Sequence, residues 1–194
     1  MGEALWEAAR VGDLAQLRAV LATGLDVDAH NSCGFTALHY AAFNGRTACL
    51  DALLAAGASV HSVTLDGWTS LAFASTYGHE ACIRVLIAAG ANVNRAHWNG
   101  HTPFTLALLR GDRRILKILL RAGADVRTGG VGRYNKNTET WFIVDAIRKA
   151  KGWPNYVHRR AATVASVVKK VTRGLLPDVI NLEVAAFVEP PGGY

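Results

Sequence analysis

The sequence has few of the features that stabilise small secreted proteins or anchor proteins in membranes. Its three cysteines among 194 residues cannot form a complete set of disulfides, and a chain of this length can bury a core without cross-links. Although 51% of the residues are hydrophobic, there is no apolar run of about 18 residues, the length that a membrane-spanning helix requires. Glu3 and Glu7 stand where a secretory signal carries positive charge. We therefore expect an intracellular protein, cytoplasmic or nuclear.

Motifs for catalysis and metal binding are also missing. The sequence contains no phosphate-binding loop, Ser/His/Asp arrangement or paired-carboxylate motif. Two stretches, HWNGH with His97 and His101 and HNSC with His30 and Cys33, have spacings that a metal ion could use. Each offers only two ligands, whereas a structural zinc ion takes four. We predict a protein that is not an enzyme and that has no metal ion, cofactor or small-molecule substrate.

What the sequence does have is an internal repeat of 33 residues. The stretch GFTALHYAAFNGR at 34–46 recurs as GWTSLAFASTYGH at 67–79 and as GHTPFTLALLRGD at 100–112, after a degenerate copy that begins at Ala4. The apolar periodicity and the glycines of each copy predict two short helices followed by an extended segment, or finger. One helix pair cannot bury its own apolar face, so we expect neighbouring pairs to stack into a solenoid.

These copies resemble the ankyrin repeat, whose signature begins with Thr-Pro-Leu-His and ends with Gly-Ala-Asp-Val-Asn. The resemblance covers residues 1–127 and implies an all-α solenoid of helix–turn–helix–finger units. The predicted units are about 1–33, 34–66, 67–99 and 100–127. The remainder, 128–194, is predicted to be a diverged repeat or a helical C-terminal cap that covers the last apolar surface.

The histidine of the motif is kept only in the second copy, as His39, and Trp6, Ala72 and Thr105 replace it elsewhere. The resemblance implies that this imidazole forms hydrogen bonds to Thr36 and to the neighbouring finger. A catalytic histidine would need a nucleophile or an acid beside it, and the motif supplies only the threonine. We interpret His39 as a structural residue.

The resemblance also implies where a partner would bind, at the finger tips and on the exposed side of the first helix of each unit. The fold does not determine these positions, yet many are aromatic or aliphatic here, which is typical of an interface. The alternative is that some of them pack against the next finger and are half-buried. The predicted partner-binding residues are Phe35, Phe43, Asn44, Leu65, Trp68, Tyr77, Trp98, His101, Leu109 and Arg110.

The positive charge is concentrated after the repeats. Residues 128–194 hold 10 Lys and Arg against 5 Asp and Glu, whereas residues 1–127 hold 11 against 10. The stretch NYVHRRAATVASVVKKVTRG predicts a helix with one apolar face and a basic remainder. That basic surface comprises Arg159, Arg160, Lys169, Lys170 and Arg173. The helix is interpreted first as the cap, and second as a contact for nucleic acid or an anionic surface.

The function favoured by these patterns is binding of another protein, by a non-catalytic scaffold or adaptor that is monomeric when unbound. Aromatic side chains on a rigid frame lose little conformational entropy when a partner docks. One alternative is a basic adaptor whose C-terminal helices contact nucleic acid or an anionic surface. Another is a substrate adaptor of a ubiquitin ligase, because LLPDVINLEVAAFV at 175–188 resembles the box-motif helices that join ankyrin proteins to these enzymes.

Overall fold

A computed structural model describes residues 2–126 and residue 128 of the chain. Within them the secondary structure consists of helices α1 Glu3–Val11, α2 Leu14–Leu21, α3 Ala37–Phe43, α4 Thr47–Ala55, α5 Ser70–Tyr77, α6 Glu80–Ala88, α7 Pro103–Arg110 and α8 Arg113–Arg121. This confirms the predicted all-α architecture. The predicted cap and its basic surface lie outside the described residues. No helix in the described part of the chain is long and apolar enough to cross a bilayer.

Each unit contributes a first helix (α1, α3, α5, α7) and a second helix (α2, α4, α6, α8), and local residues determine where they begin and end. Thr69 precedes α5, and its hydroxyl accepts the backbone N–H of Ala72 at 3.1 Å. Asp112 caps α8 in the same way and accepts from Ile115 at 3.2 Å. Such caps satisfy N–H groups that have no partner inside the helix. Gly78 then ends α5 at a φ of 85°, a left-handed conformation that glycine adopts without strain.

The core lies between successive helix pairs. First helices pack against first helices, and second helices pack against second helices. Equivalent positions, which are separated by 33 residues, are therefore buried in every unit. They include Leu5, Leu38, Leu71 and Phe104 on the first helices and Leu17, Leu50, Ile83 and Leu116 on the second helices. Since each unit is buried by its neighbours, the stacking predicted from the repeat is confirmed.

The fingers are the loops 30–36, 63–69 and 96–102. Antiparallel bridges close the first two, His30 with Thr36 and Val63 with Thr69. Hydrogen bonds also join neighbouring fingers, because the N–H of Leu65 donates to the carbonyl of Cys33 at 3.0 Å and that of Trp98 donates to Asp66 at 3.2 Å. The finger tips are thus held in register with one another.

His39 connects a first helix to the segment that leads into the second finger. The backbone N–H of Thr36 donates to its Nδ1 at 3.1 Å, so Nε2 carries the proton and donates to the carbonyl of Ser62 at 3.1 Å. The side chain is completely buried, and the loss of solvation lowers its pKa to about 4. At neutral pH His39 is an uncharged structural group, and its contacts are those that the resemblance implied.

Candidate functional site

Five of the predicted partner-binding residues are exposed. Trp98 and Leu65, on the fingers, are 77% and 63% exposed, and Leu109 and Tyr77, at the ends of α7 and α5, are 56% and 42% exposed. Arg110 follows Leu109 at the last residue of α7 and is also exposed. Apolar side chains exposed to this degree along successive units are typical of a surface that binds another molecule.

The other five, Phe35, Phe43, Asn44, Trp68 and His101, are half-buried. Trp68 lies between two rings: Phe73 stacks on it with the centroids 4.9 Å apart, and His97 stacks on it at 4.4 Å. The side-chain amide of Asn44 donates to the carbonyl of Tyr40 at 2.9 Å. Among these five residues, Trp68 is shown to pack against the next finger, through His97.

Phe73 is the residue that sequence reasoning missed. It is only 6% exposed, and its ring lies 5.3 Å from that of Phe35 and 5.7 Å from that of Phe43. Its equivalents in the neighbouring units are Tyr40 and Leu106. The sequence signal that could have revealed Phe73 is the presence of an aromatic residue at the same repeat position in two successive units. Phe73 supports the half-buried rings around it and so determines how they are presented.

Two of the exposed residues lie beside this cluster or beside the finger that carries Trp68. The ring of Tyr77 lies 4.3 Å from that of Phe43. The indole of Trp98 lies against Gly67, where an added Cβ would be 3.1 Å from its Cδ1. We refer to the set Phe35, Phe43, Leu65, Trp68, Phe73, Tyr77 and Trp98 as the aromatic band. It spans three fingers and two first helices.

At the ends of α1, α3 and α5, a side chain from the next unit donates a hydrogen bond to a backbone carbonyl. Arg46 donates to the carbonyl of Arg10 at 3.3 Å, His79 to that of Phe43 at 3.0 Å, and Arg110 to that of Thr76 at 3.4 Å. Arg46 and His79 are equivalent, but Asp112 occupies their position in the next unit, and Arg110 takes over the contact from two residues earlier. Arg110 is therefore tied to the solenoid as well as exposed.

The remaining candidates for chemistry are buried or incomplete. Burial raises the pKa of the Cys49 and Cys82 thiols, and this disfavours the reactive thiolate. Within residues 2–126, no group of three or more His, Cys, Asp or Glu side chains is placed to hold a metal ion. The basic residues of the predicted C-terminal helix lie outside the part of the chain that the structure describes.

Comparison with known proteins agrees with this architecture. A family model described as ankyrin repeats (many copies) matches residues 5–54, and another described as ankyrin repeats (3 copies) matches residues 57–129. The two matches together cover more than half of the chain. No curated protein matches it. Ankyrin repeats are generally modules of protein–protein interaction. The chain belongs to the ankyrin-repeat family.

Proposed function

We propose that this protein is a non-catalytic adaptor that binds a partner protein through the aromatic band and the adjoining exposed residues. The observation that carries the proposal is the exposure of Leu65, Tyr77, Trp98 and Leu109 on the fingers and at the ends of the first helices. Solvated surface positions do not require residues of this kind, and aromatic residues are enriched at the energetic centres of interfaces.

Within the band, the side chains divide into supports and anchors. Trp68 and Phe73 are packed on both sides and form the supporting layer. Leu65 lies on the same finger as Trp68 and Trp98 on the next finger, and both retain most of their surface for a partner. Full burial of one large apolar side chain is worth about 1.5–3 kcal/mol. A rigid support reduces the entropy lost on docking, so more of that free energy is available for affinity.

Charge supports a mainly apolar mode of binding. The repeats are nearly neutral, with 11 Lys and Arg against 10 Asp and Glu in residues 1–127. Exposed charges are screened over about 8 Å at physiological salt, whereas apolar burial is not weakened in this way. Binding through the aromatic band should therefore persist as salt is raised. Binding of nucleic acid or an anionic surface by the basic C-terminal residues would decline steeply.

The test is affinity capture followed by mass spectrometry, with the wild-type chain and the double variant Leu65→Ala/Trp98→Ala. Arg84→Ala is the matched control, because Arg84 lies on second helix α6 and pairs only with Glu80 among the described residues. We expect the double variant to lose the partner at an unchanged melting temperature, while the control retains it. Retention by the double variant, or loss of the partner from all three proteins at moderate salt, would contradict the proposal.

A further inference from the structure

The tip of each finger is held by a side-chain acceptor at an equivalent repeat position. In the first finger, Asn31 Oδ1 accepts the backbone N–H of Cys33 at 2.9 Å. In the second, Thr64 Oγ1 accepts that of Trp68 at 3.1 Å. An amide oxygen and a hydroxyl oxygen both accept hydrogen bonds at any physiological pH. These two bonds therefore do not depend on pH.

The equivalent residue of the third finger is an imidazole. His97 Nδ1 accepts the backbone N–H of Asn99 at 3.1 Å, so the ring is neutral and its proton is on Nε2. The side chain is only 6% exposed and stacks on Trp68. Its Nε2 is buried and has no hydrogen-bond partner among the described residues. Among the described residues, no hydrogen-bond acceptor is thus in place at Nε2 to stabilise the imidazolium form.

Protonation would remove the acceptor and leave two N–H groups facing each other at the finger tip. It would also place a positive charge in a buried site, which is costly without a paired anion. Burial lowers the pKa of His97, and the neighbouring His101 of the same finger lowers it further. Asp66, on the preceding finger, acts in the opposite direction. Among the residues that the structure describes, His101 and Asp66 are the titratable groups that act on the ring.

We propose that the third finger is an acid-sensitive element, in which a proton on His97 releases the backbone of Asn99 and with it the ordered presentation of Trp98. Trp98 lies between these two residues and is the most exposed large apolar side chain of the described chain. Partner binding would then weaken as the pH falls. That consequence rests on the proposed function, whereas the release of the finger does not.

The direction of the pH dependence follows from the lowered pKa. In the opened finger His97 regains its ordinary value of 6.5. Above that pH the closed finger has its full stability. As the pH falls from there toward the lowered native value, the open form gains a proton that the closed form does not hold. The opening equilibrium therefore increases by up to about tenfold for each pH unit.

The test is amide hydrogen exchange followed residue by residue by NMR between pH 7 and pH 5, with correction for intrinsic exchange rates. The full-length wild type is compared with His97→Asn, which supplies the non-titrating acceptor found in the first finger. In the wild type, the protection of the Asn99 amide should decrease by up to about tenfold per pH unit. In the variant it should stay constant. The amide of Cys33, in the first finger, is the internal control and should behave alike in both proteins.

A pH-independent Asn99 amide in the wild type, or the same decrease in both proteins, would overturn the inference. If the variant does not fold, the deciding measurement is the protonation state of the His97 ring nitrogens in the wild type, followed by NMR. The Nδ1 of His97 must be unprotonated at pH 7, and its protonation must coincide with the loss of Asn99 protection. A failure of the proposed function is distinguishable, because it would appear as undiminished capture by Leu65→Ala/Trp98→Ala.

Discussion

Replacing His39 by glutamine tests how the neutral imidazole contributes to stability. Burial lowers the pKa of His39 from 6.5 to about 4. A group with a lowered native pKa contributes stability that is present above its ordinary pKa and is lost as the pH falls to the native value. Each pH unit in that window is worth about 1.4 kcal/mol. The wild type should therefore lose about 3 kcal/mol between pH 7 and pH 4 because of His39 alone.

Glutamine is the matched replacement because a Thr-x-x-Gln sequence forms a capping box, in which the glutamine side chain accepts the N–H of the capping residue. Here that N–H belongs to Thr36, which donates to the imidazole in the wild type. The variant thus keeps the cap but cannot titrate. It loses the bond to Ser62, and leaving that partly buried carbonyl unpaired at pH 7 should cost about 1–3 kcal/mol.

Urea unfolding of both proteins at several pH values between 7 and 4 measures the difference. All other titrating groups contribute alike to the two proteins, so the gap between their unfolding free energies isolates His39. The wild type should be more stable at pH 7, and the gap should close by about 3 kcal/mol toward pH 4. Parallel curves for the two proteins would refute the reasoning, since they would mean that His39 keeps an ordinary pKa in the fold.

Two further predictions each compare a pair of substitutions of the same residue type. Gly34→Ala should destabilise the protein more than Gly24→Ala in thermal melts. Both glycines have φ near 80°, so an alanine at either position is strained by about 1–2 kcal/mol. Only at Gly34 would the new Cβ also approach a backbone atom, the N of Leu65, at 2.9 Å. Trp68→Ala should cost about 3 kcal/mol or more because it empties a stacked position, whereas Trp98→Ala should change the free energy of unfolding by less than about 0.5 kcal/mol. Equal effects within either pair would show that the assigned contacts are wrong.

The architecture was predictable because its causes are local and repeated. Leu38 and Leu71 are buried in the same way since each unit meets an equivalent neighbour 33 residues away. The caps and terminating glycines depend on residues only a few positions apart. The role of His39 was implied by the resemblance to the ankyrin repeat, whose motif includes the threonine three residues earlier.

The candidate surface was predictable only in outline. Trp68 and Trp98 are the same residue type, and both lie at positions that the repeat leaves open. The structure separates them because Phe73 and His97 stack on Trp68, whereas Trp98 remains largely exposed. No pattern within one unit indicates the contact with His97, because that residue belongs to the next finger.

The sequence by itself determined the repeat, the helix pairs and the set of positions that are not required by the core. Only the tertiary structure decided which of those positions face solvent and which residues hold them. Arg110 reaches back to the preceding unit from an unexpected position, and the imidazole of His97 stacks on Trp68 of the preceding finger. Both contacts depend on how adjacent units are stacked. A repeat specifies equivalent backbone positions, but the side chains that meet between units differ from one junction to the next.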